Sequence, residues 1–360
     1  MHFALWSSRD HRKSTPWSIL VLAALGSVVA CTEESRGVSP ANAELQEVVS
    51  VGLLDGPEEF LFGEIADVRA MSDGSFVVLD TQTPAVRWFG FDGEYRGAVS
   101  GVGQGPGELG APMAIEVTDD DRMGVLDYSN ARISVYRGTP EGLEHDGSIR
   151  VGALSPYAVN RRSLCAADGD WFVQHMEGDA SVLRYDSSGE LAGEFRAPIP
   201  LPEGGFDRYA SIMEPSLNSA ILHCARDVGL VVTAGFRSDT VRAFEPSGSE
   251  LWHRALSGIT PEQYQLEPVF GYASESAGAH VGVSAVRWSE GSLLVQYRYW
   301  SGARGQPDST RIDSIELSLE SGEELSRTTA LPALLDVRGD LVYTAESEPF
   351  PRVRVWERGG

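Results

Sequence analysis

Positive charge is scarce in this chain. Its 360 residues include 29 Lys and Arg against 52 Asp and Glu, for a formal net charge of -23. A surface of that sign repels phosphate backbones, which excludes nucleic acid as the expected partner. Long apolar runs are missing after residue 30, so no membrane-spanning helix is expected in the body of the protein. The sequence has no G-x-S-x-G elbow, no H-E-x-x-H pair and no Walker loop, which removes the commonest hydrolase, zinc-protease and nucleotidase signatures. Gly101–Leu109 (GVGQGPGEL) is rich in glycine. Pro106 nevertheless stands where a dinucleotide fingerprint needs its third glycine, and no helical pattern follows. His145, His175, His223, His253 and His280 are scattered without metal-ligand spacing. No catalytic residue, resident metal or cofactor is therefore expected. Asp119-Asp120-Asp121 is the one acidic run that suits calcium, and it also suits an ordinary hairpin turn.

The N-terminus is rich in export features. Arg9, Arg12 and Lys13 precede an apolar stretch, Trp17–Ala30, which is too short to span a bilayer stably. The stretch ends in Val28-Val29-Ala30-Cys31, which resembles a bacterial lipobox. Residues 1–30 are accordingly expected to be a lipoprotein signal peptide, Cys31 the lipidated residue, and residues 31–43 a polar tether. Cleavage would remove three basic residues and one acid and leave the mature chain more acidic still. Cys165 and Cys224 remain, an even number in an oxidising compartment. They either bridge adjacent repeats or stay as two buried thiols, because sequence does not fix the Cα separation a bridge demands.

Glycine is abundant, at 39 residues, as a fold with many tight turns requires. The turns recur with a period. Gly56-Pro57-Glu58-Glu59-Phe60 is echoed by Gly105-Pro106-Gly107-Glu108-Leu109, and EIADV (Glu64–Val68) by MAIEV (Met113–Val117) at the same offset. A turn and an apolar strand follow in each copy: FVVLD (Phe76–Asp80) and MGVLD (Met123–Asp127). Weaker copies are WFVQH, LVVTA, LLVQYRY and LVYTA, each followed by another strand and, in the first three, by a Gly/Ser/Asp hairpin. The spacing suits a four-stranded propeller blade. The reading is all-β: residues 44–360 form a six-bladed β-propeller of four-stranded antiparallel blades. The last blade has three strands of its own, so Leu45–Leu54 is expected to supply its outer strand and close the ring.

The run Val102–Leu109, followed by AIEV, an acidic turn, GVLD and Ser129-Asn130-Ala131-Arg132-Ile133, resembles the NHL-type six-bladed propellers. It is more similar still to the six-bladed propeller lipoproteins of bacterial envelopes, with their G-x-G-P-G-E and D-x-x-N-x-R-I elements. The resemblance covers roughly Gly52–Tyr136 and is architectural beyond. It implies a fold and a binding surface, and no assigned activity.

A ligand is expected at the longest irregular segments: Ala197–Ser219, Ser257–Ala279 and Trp300–Ser309. Blade topology places all three on one face, in neighbouring blades. Tyr209, Tyr264, Tyr272, Trp300 and Arg304 are the binding-face candidates, since aromatics with arginine suit a protein, peptide or sugar. The expected function is a non-catalytic binding module, monomeric and anchored by lipid at the periplasmic face or cell surface. The alternative is a metal-dependent hydrolase or lactonase using carboxylates and amides in the central channel, with Asp67, Glu116 and Asn218 as its residues.

Overall fold

The computed structural model describes residues 38–99, 101–152, 154, 160–175, 180–196, 214–215, 217–225, 228–259, 280–303 and 306–359; at 280–281, 300–303 and 306–310 it describes the backbone alone. The chain enters through a short 3-10 turn, Pro40–Asn42, and strand β1 (Glu44–Val51). Blade 1 is β2 (Ile65–Ala70), β3 (Phe76–Asp80), β4 (Ala85–Phe89) and β5 (Tyr95–Val99). Blade 2 is β6 (Pro112–Val117), β7 (Arg122–Asp127), β8 (Arg132–Thr139) and β9 (Gly142–Arg150). Blade 3 is β10 (Leu164–Ala167), β11 (Asp170–Gln174), β12 (Val182–Tyr185) and β13 (Leu191–Phe195). Blade 4 is β14 (Ala220–Ala225), β15 (Leu230–Gly235), β16 (Thr240–Phe244) and β17 (Glu250–Ala255). Blade 5 is β18 (His280–Ser289), β19 (Ser292–Ala303), β20 (Gln306–Ser318) and β21 (Glu324–Thr328). Blade 6 is β22 (Leu334–Arg338), β23 (Leu341–Glu346) and β24 (Arg352–Gly359), with β1 as its outer strand.

Every blade is a four-stranded antiparallel meander, and the first strands touch in a closed ring, β2-β6-β10-β14-β18-β22 and back to β2. The ring closes as the sequence predicts. Glu44 pairs with Gly359 and Val51 with Val353, so β1 covers the edge of β24 and completes the blade.

Second strands read as unbroken apolar runs because both faces of each blade are buried. Along β3, Val77 and Leu79 pack into the seam between blades 1 and 2, while Phe76 and Val78 pack into the seam between blades 6 and 1. The period of two thus divides one strand between two cores. Each of the six seams has its own apolar cluster of this kind. Gly124 is needed at one of them, since a Cβ there would lie 2.3 Å from the Trp171 ring of the next blade. Gly93 serves a turn instead, at φ +83°, against the closing strand at Val51.

Trp300–Ser309 departs from the sequence reading. It is not an irregular loop: β19 and β20 pair onward through Trp300↔Thr310 and Ser301↔Ser309 to Ala303↔Gln306. The partner strand β18 begins only at His280, opposite Tyr299. Among the described residues, the β19–β20 pair therefore runs on past the start of β18. Gly302 and Pro307 read as loop formers, yet they face each other in extended, paired backbone.

Candidate functional site

Three neighbouring inner strands place an acid at the same level of the channel: Asp336 on β22, Asp67 on β2 and Glu116 on β6. Each carboxylate accepts the N–H of the next residue, at 2.9 Å for Val337, 2.9 Å for Val68 and 3.2 Å for Val117. Two arginines face them. Arg69 on β2 reaches Asp67 at 2.8 Å and Glu116 at 3.3 Å. Arg162 arrives from the opposite side, just before β10, and reaches Asp67 at 3.1 Å. Its Nη2 also donates to the carbonyl of Leu335 in blade 6, three blades from its own. The same carbonyl accepts Arg69 Nη1 at 3.2 Å. Arg161 likewise pairs with Glu64 above this layer. A charged plug thus spans the channel.

Desolvation governs the plug's electrostatics. Burial raises the pKa of Asp67, and Arg162 and Arg69 pull it back. For Arg162, burial and then the neighbouring Arg69 push the pKa down to about 10. Burial also disfavours the Arg69 charge, but Asp67, Glu116 and Asp336 outweigh it and raise the pKa. After Lys13 every basic side chain is arginine or histidine. Arginine suits the plug because its planar fork serves several acceptors at once and keeps its charge on burial.

The hydrolase alternative offers Asp67, Glu116 and Asn218 as candidate channel residues. The structure brings the first two together and joins them through Arg69. Asn218 lies at the border of blades 3 and 4, where its amide donates to the Glu214 carbonyl at 3.0 Å. Among the described residues, no group of three His, Cys, Asp or Glu is placed to hold a metal. The acidic turn serves other purposes: Asp120 holds Thr118 Oγ1 at 2.6 Å and Arg122 at 2.8 Å. Asp121 accepts the Ser72 N–H of blade 1 at 2.8 Å, and the Ser72 hydroxyl as well.

The repeated glycine-rich element pins the inter-blade connection to the blade it enters. Glu108 accepts the Gly105 N–H at 2.8 Å, and Arg132 Nη2 donates to the carbonyls of Gly105 and Glu108 at 2.8 and 2.6 Å. Asn130 ties Gly103 to Asp127. Asp127 accepts the N–H groups of Gly110 and Ala111, and Asp80 accepts those of Gly63 and Glu64 at the equivalent place in blade 1. Most of the motif's polar groups bond to one another. These contacts also show that second strands end on the face where inter-blade connections run.

Cys165 on β10 and Cys224 on β14 are disulfide-bonded, with Cα atoms 5.5 Å apart. The bond joins the innermost strands of blades 3 and 4. Of the binding-face candidates, Trp300 opens the β19–β20 ribbon. Tyr209, Tyr264, Tyr272 and Arg304 lie outside the described residues, as do Cys31 and the segment expected to be the signal peptide. A cleft of about 680 Å³, not expected from the sequence, runs along the seam of blades 5 and 6 beside Arg311, Glu346, Arg354 and Trp356. Arg354 stacks 4.1 Å from the Trp356 ring centroid and pairs with Glu346 at 2.6 Å. No sequence signal marked this cleft, because it forms where the two chain ends meet.

Residues 28–141 match the family DUF5128, described as a 6-bladed beta-propeller. No curated protein is significantly similar to the chain. Among solved structures, a member of the DUF4221 family from Bacteroides vulgatus superimposes with a TM-score of 0.57 at 12% identity, covering 88% of this chain and 99% of that one. A putative exported protein from Bacteroides fragilis gives a TM-score of 0.54 at 10% identity, covering 87% and 94%. At these identities the likeness is one of fold.

Proposed function

We propose that the protein is a non-catalytic binding propeller, exported to a bacterial envelope and held at a membrane by lipid on Cys31. The observation that carries this reading is the channel plug. Arg162 crosses from blade 3 to Asp67 and Leu335, and Arg69 joins Asp67 to Glu116, so these buried charges are paired across the channel. A ligand is then received at the outer surface. The connection face suits it, because the β19–β20 pair runs on past the start of β18 there and the long connections leave from it. Trp300, Arg304, Tyr264, Tyr272 and Tyr209 are the proposed contacts, and a protein, peptide or carbohydrate the proposed ligand. The structural relatives agree in fold, and one of them is a putative exported protein. Fractionation of the Cys31→Ser variant tests the anchor. Release into the soluble fraction, or an uncleaved precursor, is expected. Unchanged processing and membrane attachment would contradict it.

A further inference from the structure

Among the described residues, Arg196 is a cation with no counter-ion. It follows β13 directly, where the chain leaves blade 3 on the connection face, and holds φ at 61°. A non-glycine residue enters that left-handed region at a cost, so its surroundings must hold it there. Two neutral acceptors anchor the guanidinium: Nη1 donates to Ser181 Oγ at 2.8 Å and to the Asn218 carbonyl at 3.0 Å. The Ser181 hydroxyl donates in turn to the Arg196 carbonyl at 2.9 Å. The Asn218 carbonyl also accepts Gln174 Nε2, at 3.0 Å. Ser181, Asn218 and Gln174 are all fully buried, so the anchor is rigid.

The remaining donors of Arg196, Nε and Nη2, meet no acceptor among the described residues, and the residue is partly exposed. The charged neighbour that acts on it is another arginine, Arg242, itself paired with Glu250 at 2.7 Å. Burial, and then Arg242, push the Arg196 pKa down to about 10. Arg69 and Arg162 show the contrast, since each has Asp67 as a direct partner. A desolvated charge without one is a liability to folding, and such liabilities concentrate at binding sites.

We propose that Arg196, positioned by Ser181 and Asn218, binds an oxyanion, a carboxylate or phosphate group of the ligand, on its Nε/Nη2 edge. The planar fork matches two oxygens of such a group. Arg242 adds positive potential nearby and favours the same sign of ligand. The proposal deepens the binding-face reading and depends on it for its biological role. The site itself is open to measurement without any partner.

The test uses the full-length protein in detergent, with thermal unfolding followed against inorganic phosphate and, separately, citrate at constant ionic strength. The wild type is expected to show a saturable rise in Tm with at least one of the two, and which one it is assigns the group. Arg196→Gln is expected to weaken that response at least tenfold while its Tm without anion equals or exceeds that of the wild type. Arg196→Lys keeps a cation but loses the fork, and is expected to bind at least fivefold more weakly. Arg96→Gln, at an exposed arginine paired with Asp73 on the opposite face, is expected to respond as the wild type does. A wild type with no saturable response overturns the proposal. So does an Arg196→Gln response equal to the wild type's. Should Arg196→Gln fail to fold, Arg196→Lys decides: a folded Lys variant with undiminished affinity also overturns it. Failure here with intact partner binding removes the anion site and leaves the binding face standing.

Discussion

Arg162 Nη2 lies 3.1 Å from Asp67 Oδ1, although the two residues belong to blades 3 and 1 and the channel runs between them. Arg162→Ala should leave Asp67, Glu116 and Asp336 with one cation fewer in a dry environment. The expected loss is about 3–5 kcal/mol in urea unfolding. The double change Arg162→Met with Asp67→Leu removes both members of this pair, leaves Arg69 with Glu116 as its acid partner, and should cost less than the single change. Equal costs for the two variants would mean that the plug is water-filled and contributes little.

Closure of the ring predicts a second effect. Deleting residues 44–51 removes β1 and bares the edge of β24, from Arg352 to Gly359. It also takes Val51 out of the seam between blades 6 and 1. Aggregation is expected in sedimentation experiments, together with a lower Tm. A monomeric truncation with unchanged Tm would contradict the pairing.

Much of this was legible in the sequence, because a propeller repeats locally. GPEEF and GPGEL, and FVVLD and MGVLD, lie within short windows, and the strand missing from the last blade is supplied by a spare strand, β1, ahead of the first blade. The plug was not legible. Asp67 and Glu116 occupy equivalent repeat positions and were noted as channel residues, yet their partner Arg162 comes from a distant blade with no pattern of its own. Arg196 was hidden for a related reason. Its significance lies in neutral anchors, Ser181 and Asn218, that sequence does not mark as neighbours. The ribbon at Trp300 was misread because glycine and proline signal a turn even where an extended pair continues.

Acid should weaken the fold partly through Asp80. Burial alone would raise its pKa, but the N–H groups of Gly63, Glu64 and Thr83 and the Arg87 guanidinium hold it below the usual value. A carboxyl lowered in the folded state contributes stability above the unfolded pKa, about 3.9. That contribution disappears as pH falls through the lower folded value. Asp80→Asn should therefore cost about 2–4 kcal/mol at neutral pH and flatten the loss between pH 4 and the acid limit, each read from unfolding curves as a function of pH. An unchanged pH profile would remove Asp80 from the account.

The bond between Cys165 and Cys224 encloses most of blade 3 and the connection to blade 4. Replacing both cysteines with alanine should cost about 2–4 kcal/mol. Reduction of the wild type should produce a similar change, and a non-reduced peptide map should contain the linked pair. Free thiols in protein isolated from its native envelope would contradict the bridge.

The central claim is that a ligand meets the connection face and not the channel. Its most direct test is quantitative capture from the native envelope with three proteins compared side by side. These are the wild type, a Trp300→Ala and Tyr272→Ala double variant, and an Asp92→Ala and Glu94→Ala control on the opposite face. The account predicts at least a tenfold loss of a specific bound species for the connection-face variant, as expected when aromatic anchors worth about 2 kcal/mol or more are removed. Its Tm should be unchanged, and the control should capture as the wild type does. Equal capture by all three, at equal stability, would contradict it.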